Sequence, residues 1–216
     1  AAVIPYLDTV APAAEAAGSV NTLIIENGRI HGASTDGYGL EHALLENFSR
    51  PLAGAGVTFI GAGGAAHATA FHLAALGVKS IRIANRTVAK ADEIAEKLRR
   101  LHPALFVETA RPDDSATLAR WFADTDFLIQ ATSLGLKAGD PAPFDLALLK
   151  PELKLCIFDT IYKPTPLLAK ARELRLPVAD GAAMLIHQGA KSFELWTGLS
   201  APLDAMRRGF QEAQPC

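Results

Sequence analysis

Residues 57–76 hold the feature that most restricts what this chain can fold into. A short run of β-formers, Val57-Thr58-Phe59-Ile60, passes directly into Gly61-Ala62-Gly63-Gly64-Ala65-Ala66, and an alanine-rich stretch then continues to about Leu76. A strand that turns on glycines straight into a helix leaves backbone N–H groups bare at the positive helix end, where they suit a pyrophosphate. The spacing is G-x-G-G-x-A and departs from the G-x-G-x-x-G dinucleotide fingerprint. A plain tight strand–helix turn would also need small residues. Because strand, turn and helix agree here, the nucleotide reading is the stronger of the two.

The rest of the chain repeats the alternation. Ile81 to Ala84 reads as a second strand. Val88 to Leu101 reads as a helix with Ala91, Ile94, Ala95 and Leu98 at helical spacing. Leu105–Val107, Phe127–Gln130, Leu155–Asp159 and a short run near Val178 read as further strands, with helices around Leu118–Phe122 and after Pro164. Short apolar strands alternating with helices predict an α/β fold, a Rossmann-like doubly wound parallel sheet. Ahead of it, residues 11–17 suggest a short helix entering Gly18. Val20–Glu26 and Arg29–Ala33 flank the hairpin signal Asn27-Gly28. A helix over Tyr38–Phe48 follows the polar turn Ser34-Thr35-Asp36-Gly37. Two helices, Met184–Trp196 and Pro202–Ala213, close the chain, with Phe193 and Trp196 expected in the core.

The loop after the second strand bears on the cofactor. NAD sites place an acidic residue there to accept from the ribose 2′-hydroxyl. This chain has Asn85-Arg86-Thr87. A guanidinium fork suits a 2′-phosphate, Asn and Thr can add hydrogen bonds, and no carboxylate stands there to repel it. The expectation is NADP over NAD.

Composition narrows the remaining classes. Half of the 216 residues are hydrophobic and the formal net charge is −2, which fits a globule with a sizeable core. It offers no broad electrostatic footprint for nucleic acid or an anionic membrane. Cys156 and Cys216 have no metal-type spacing, and His67 and His187 pair with no ligand set, so no metal site is expected. A buried Cys156 fits a reducing cytoplasm. The chain opens without Met or a basic leader, as if an N-terminal piece were missing.

Seven motifs stand in an order that resembles the shikimate dehydrogenases: Ser19-Val20-Asn21-Thr22, Ser34-Thr35-Asp36-Gly37, Gly61-Ala62-Gly63-Gly64-Ala65-Ala66-His67-Ala68, Asn85-Arg86-Thr87, Ala131-Thr132-Ser133-Leu134-Gly135, Asp159-Thr160-Ile161-Tyr162, and Gly181 to Gln188 with Phe193 to Gly198. The resemblance spans essentially the whole chain. It implies an NADP-dependent oxidoreductase exchanging hydride between cofactor and shikimate, in aromatic amino-acid biosynthesis. It also implies two domains: residues 1–35 as the remainder of an α/β substrate domain, 36–188 as the NADP domain, and 189–216 as helices packing back. Asp36 matches the family's catalytic Asp. Asn21, Asp36, Tyr162 and Gln188 match substrate ligands. Gly61, Ala62, Gly63, Gly64, Ala65, Asn85, Arg86, Thr87, Thr132, Ser133, Thr160, Gly181 and Met184 match the cofactor site. The family's catalytic Lys and its Ser-containing carboxylate site would fall upstream of Ala1, so the chain is expected to bind NADP but turn over poorly. Ser34 replaces the family's usual Asn, and the loop after Tyr162 looks short.

Plainer roles compete. Asp36 could cap the helix that follows it, Asn21 could be a turn residue, Gln188 an exposed helix residue and Tyr162 a core aromatic. At its ordinary pKa of about 3.9, Asp36 would be ionised and a poor acid. The competing functions are a quinate or broad-range relative, a noncatalytic NADP-binding module, and a glutamyl-tRNA reductase-like domain.

Overall fold

The computed structural model describes residues 3–137 and 139–213; Cys216 lies outside them. A small sheet comes first. Its strands are β1 (Thr9–Val10), β2 (Thr22–Glu26) and β3 (Arg29–Ala33), in the order β1-β3-β2. Asn27 and Gly28 both take positive φ, 51° and 76°, the geometry that a two-residue turn needs to follow the strand twist. Helix α1 (Pro12–Ala17) ends on Gly18 in the left-handed region.

The second sheet has six parallel strands: β4 (Gly56–Ile60), β5 (Ser80–Ala84), β6 (Phe106–Ala110), β7 (Phe127–Gln130), β8 (Cys156–Asp159) and β9 (Val178–Ala179). Their order is β6-β5-β4-β7-β8-β9. The chain therefore winds outward from β4 in one direction, returns, and winds outward from β7 in the other. The connections leaving β4 and β7 run to opposite sides of the sheet, and the crevice between them is where such sheets bind ligands.

Side chains alternate across this sheet. Phe59, Ile81, Ile83, Phe127 and Phe158 pack with helices α2 (Asp36–Phe48), α3 (Gly64–Ala75) and α4 (Val88–Leu101) on one face. Ile60, Leu128 and Ile157 pack with α5 (Ser115–Phe122) and α6 (Pro166–Glu173) on the other. Both faces are covered, so β4 and β5 are buried along their whole length, as parallel sheets require. The four apolar residues expected on the inner face of α4 are buried there. Cys156 is buried and, among the described residues, unpaired with another cysteine.

Helix α2 joins the two sheets. It lies along α7 (Ala182–Thr197) on one side and against α3 on the other. Gly37 and Gly39 permit this. A Cβ on Gly37 would strike the His72 side chain, and one on Gly39 would stand 2.8 Å from the Met184 carbonyl. Helix α8 (Leu203–Glu212) is tied to the same bundle by Glu46, whose Oε2 meets His187 Nε2 at 2.7 Å and Arg207 Nη2 at 2.8 Å. Trp196 departs from the core expectation. It is 59% exposed, because its indole N–H donates to the Leu23 carbonyl of β2 instead of entering the interior. Among the described residues no helix is long and apolar enough to cross a membrane.

Candidate functional site

A cleft of about 590 Å³ opens at the β4/β7 crevice, lined by the glycine turn, Asn85 to Thr87, Lys90, Arg111 to Asp113 and Ala131 to Leu134. Gly61 has φ of 113°, and a Cβ there would stand 2.7 Å from the Ala131 carbonyl. The turn is thus pressed against the loop after β7, which only glycine allows. A Cβ on Gly64 would meet nothing within 4 Å. The start of α3 therefore faces open space, and no side chain caps its first N–H groups. A bare helix N-terminus with room in front of it fits a dinucleotide's pyrophosphate.

Asn85 ties two walls of the cleft together. Its Oδ1 accepts from Ala62 N–H at 3.2 Å and its Nδ2 donates to the Thr87 carbonyl at 2.7 Å. Both ends of the amide are thereby engaged within the protein. Arg86 and Thr87 are exposed. Among the described residues, the side chains of Arg86 and Lys90 make no hydrogen bond or ion pair. Lys90, one turn into the region after Arg86, and Arg111, at the end of β6, were not singled out from the sequence. The first turn of α4 carries Lys90 to this cleft, and the strand order β6-β5-β4 brings Arg111.

The loop after β7 is templated from below. Gln130 is fully buried, accepts from Thr132 N–H at 2.5 Å and donates to the Leu134 carbonyl at 3.0 Å. This sets the backbone under Thr132 and Ser133. Asp159, equally buried, does the same after β8, accepting from Ile161 N–H at 3.0 Å and Thr165 Oγ1 at 2.8 Å. Burial pushes the Asp159 carboxyl above the ordinary range, against the pull of those two hydrogen bonds. Thr160 is packed so closely on Gly181 that any Cβ on Gly181 would overlap the Thr160 carbonyl.

A second group lies along α7. Gly181, Met184 and Gln188 are spaced three and four apart, so they share one stripe of the helix. Gln188 sits against Gly39 of α2 and accepts from Asn21 Nδ2 at 3.2 Å. Asn21 Nδ2 also donates to Asp36 Oδ1 at 2.7 Å and Thr35 Oγ1 at 3.1 Å, while its Oδ1 accepts from Thr35 N–H at 3.0 Å. Residues 15 and 167 positions from Asn21 thus meet in one cluster. Asp36 is the first residue of α2. Thr35 holds the cap position, and no side chain makes the capping bond. The carboxyl reaches Asn21 instead, and among the described residues its Oδ2 has no partner. Burial raises the Asp36 pKa, and the Asn21 hydrogen bond only partly opposes this. The ordinary value assumed from sequence therefore does not hold.

Among the described residues Tyr162 makes no hydrogen bond to this cluster. Its ring packs edge-on against Phe210 of α8 at 5.8 Å, and it is 41% exposed. The Ser34 hydroxyl is buried without a partner among the described residues. His67 stacks against Phe71 at 5.2 Å, and burial lowers its pKa.

Residues 43–135 match the family described as shikimate / quinate 5-dehydrogenase, and residues 181–208 match the shikimate 5′-dehydrogenase C-terminal domain. A shikimate dehydrogenase (NADP(+)) of Desulforamulus reducens is 39% identical over 209 residues, covering 95% of this chain and 70% of that protein. The structure of a Listeria monocytogenes shikimate 5-dehydrogenase in complex with shikimate and NAD superposes with a TM-score of 0.88 at 34% identity, over 95% of this chain and 72% of that one. A quinate dehydrogenase of Corynebacterium glutamicum in complex with NAD gives 0.85 at 30% identity, over 98% and 74%. Fold, cleft and sequence agree that the chain belongs to the shikimate dehydrogenase family.

Proposed function

We propose that this chain is an NADP-dependent oxidoreductase of the cytoplasm that interconverts 3-dehydroshikimate and shikimate. The meeting of Asn21 and Asp36 with Gln188, which lies on the helix stripe that begins with Gly181, carries this reading. A pure nucleotide binder has no use for this second polar cluster.

The residues fit NADP. The open start of α3 would take the pyrophosphate and Arg86 the 2′-phosphate with Thr87 beside it; Thr132 and Ser133 line the cleft, and Thr160, Gly181 and Met184 would border the nicotinamide. When bound, the cofactor supplies or accepts the hydride. The protein holds the ring and handles the accompanying proton. Asp36 accepts a hydrogen bond from a ring hydroxyl through its unpartnered Oδ2. Gln188 accepts from Asn21 through Oε1, which keeps its Nε2 for a second hydroxyl. Asn21, already engaged on both ends of its amide, orients the other two and touches substrate only by releasing one of them. Tyr162 joins from the loop that Asp159 braces.

NADP⁺ reduction followed by absorbance, with shikimate and quinate compared, tests the substrate. A preference for shikimate is expected, and a quinate preference would move the chain to the quinate branch that its Corynebacterium neighbour represents. Arg86→Ala is expected to weaken NADP binding by about 10- to 100-fold, the scale of a lost charge-assisted fork, with little change for NAD. Equal losses for both cofactors in calorimetry would remove Arg86 from the phosphate site.

A further inference from the structure

The nucleotide cleft contains a carboxylate for which phosphate binding gives no reason. Asp113 lies just beyond the end of β6 and lines the cleft with Arg86, Lys90 and Arg111. The Arg111 guanidinium grips it side-on, Nε to Oδ1 at 2.9 Å and Nη2 to Oδ2 at 2.9 Å. The remaining nitrogen, Nη1, donates to the Arg86 carbonyl at 3.4 Å. Both partners are exposed, so the pair adds little to folding. The pairing holds the Arg111 pKa up and the Asp113 pKa down, so both stay charged.

Three cations thus face the cleft, and only Arg111 is neutralised. Its planar fork is the group best shaped for a phosphate, and a carboxylate occupies it. A bound 2′-phosphate, at about −1.5 to −2 charges near neutral pH, would meet repulsion from Asp113 and competition for the fork. The link from Arg111 to the Arg86 carbonyl holds the two loops together at one cleft.

We propose that Asp113 sets how strongly this cleft prefers a 2′-phosphorylated adenosine, by competing with that phosphate for Arg111. Arg111 is then a further phosphate ligand, exchanging one anion for another when the nucleotide binds. Without a 2′-phosphate the pair stays closed, and a plain ribose faces one positive charge fewer. The proposal rests on the NADP reading above.

Calorimetric titration with adenosine 2′,5′-bisphosphate and with AMP tests it, because the two probes differ only in the 2′-phosphate. The wild-type chain is expected to hold the bisphosphate more tightly. Asp113→Asn should raise the ratio of the two affinities by about 3- to 10-fold, and Arg111→Ala should lower it by a similar factor, the range of an exposed charged contact. AMP affinity should stay constant in both, which also reports that the variants are folded. In the Arg111→Ala background, Asp113→Asn should have a much smaller effect. An unmoved ratio in either single variant would overturn the proposal, as would an equal Asp113→Asn gain with and without Arg111, which is repulsion without competition. A wild-type chain that binds the two probes alike would instead overturn the NADP reading on which the proposal stands.

Discussion

Gly181→Ala is expected to lower folding stability by about 3 kcal/mol and to weaken cofactor binding with it, although the exchange adds only a methyl group. Gly181 has φ of −73°, a conformation that alanine adopts freely, so no backbone strain enters. The cost is steric alone. The added Cβ would overlap the carbonyl, carbonyl carbon and Cα of Thr160, all backbone, which cannot rotate away as a side chain can. Overpacking of this kind typically costs about 1–3 kcal/mol, and the upper end applies because Thr160 is itself fixed. Its N–H donates to the Gln130 carbonyl at 3.0 Å, and the loop beyond it is clamped by Asp159. Relief therefore has to come from moving the start of α7 off the loop that carries Thr160 and Tyr162. Gly209→Ala is the matched control. It is an exposed glycine within α8 whose Cβ would meet nothing within 4 Å, and it should gain about 0.5–1 kcal/mol from helix propensity. Urea unfolding of both variants checks the pair. A Gly181→Ala midpoint at or above that of the wild type would show that the contact is soft.

Why the glycine turn was legible and this contact was not is a matter of range. Residues 57–76 declare strand, turn and helix through their own neighbours, and the alternation of short apolar runs with helices declares a parallel sheet covered on both faces. Arg86 follows from its place after the second strand. Gln130 carries no such local mark, since a glutamine at a strand end becomes a loop template only when burial removes its alternatives. Arg111 enters the cleft through the strand order, and Lys90 through the first turn of α4. Trp196 looked like a core residue by its spacing from Phe193, but a single indole N–H found an unpaired carbonyl at the edge of β2 and kept the ring outside. The Asn21–Asp36–Gln188 cluster spans nearly the whole chain. It exists because Gly37 and Gly39 let α2 approach α3 and α7, and family order flagged those residues where spacing alone could not.

Asp36→Asn is expected to reduce the kcat/KM that this chain retains for shikimate by about 100-fold or more while raising the melting temperature at neutral pH. The two effects have opposite signs for one reason. Burial disfavours the charged carboxylate, so the folded-state pKa lies above the unfolded value of about 3.9. Below the unfolded pKa the group is protonated in both states and the burial penalty is absent. As pH rises through the folded pKa the half-buried carboxyl must ionise, and its contribution to stability is lost. Asparagine removes that penalty, and its carbonyl oxygen can still accept from Asn21, so the cluster keeps its shape. What it cannot do is hold a ring hydroxyl with a charged acceptor or take part in proton handling, groups whose loss costs about 10²–10⁴-fold. The wild-type rate should accordingly fall on the acid side as Asp36 protonates, with a midpoint above that of an exposed aspartate, and this limb should vanish in Asp36→Asn. Stability measured against pH should flatten over the same interval. Near-native turnover in the variant, or an acid limb that survives the substitution, would remove Asp36 from the reaction and leave it only a partner for Asn21.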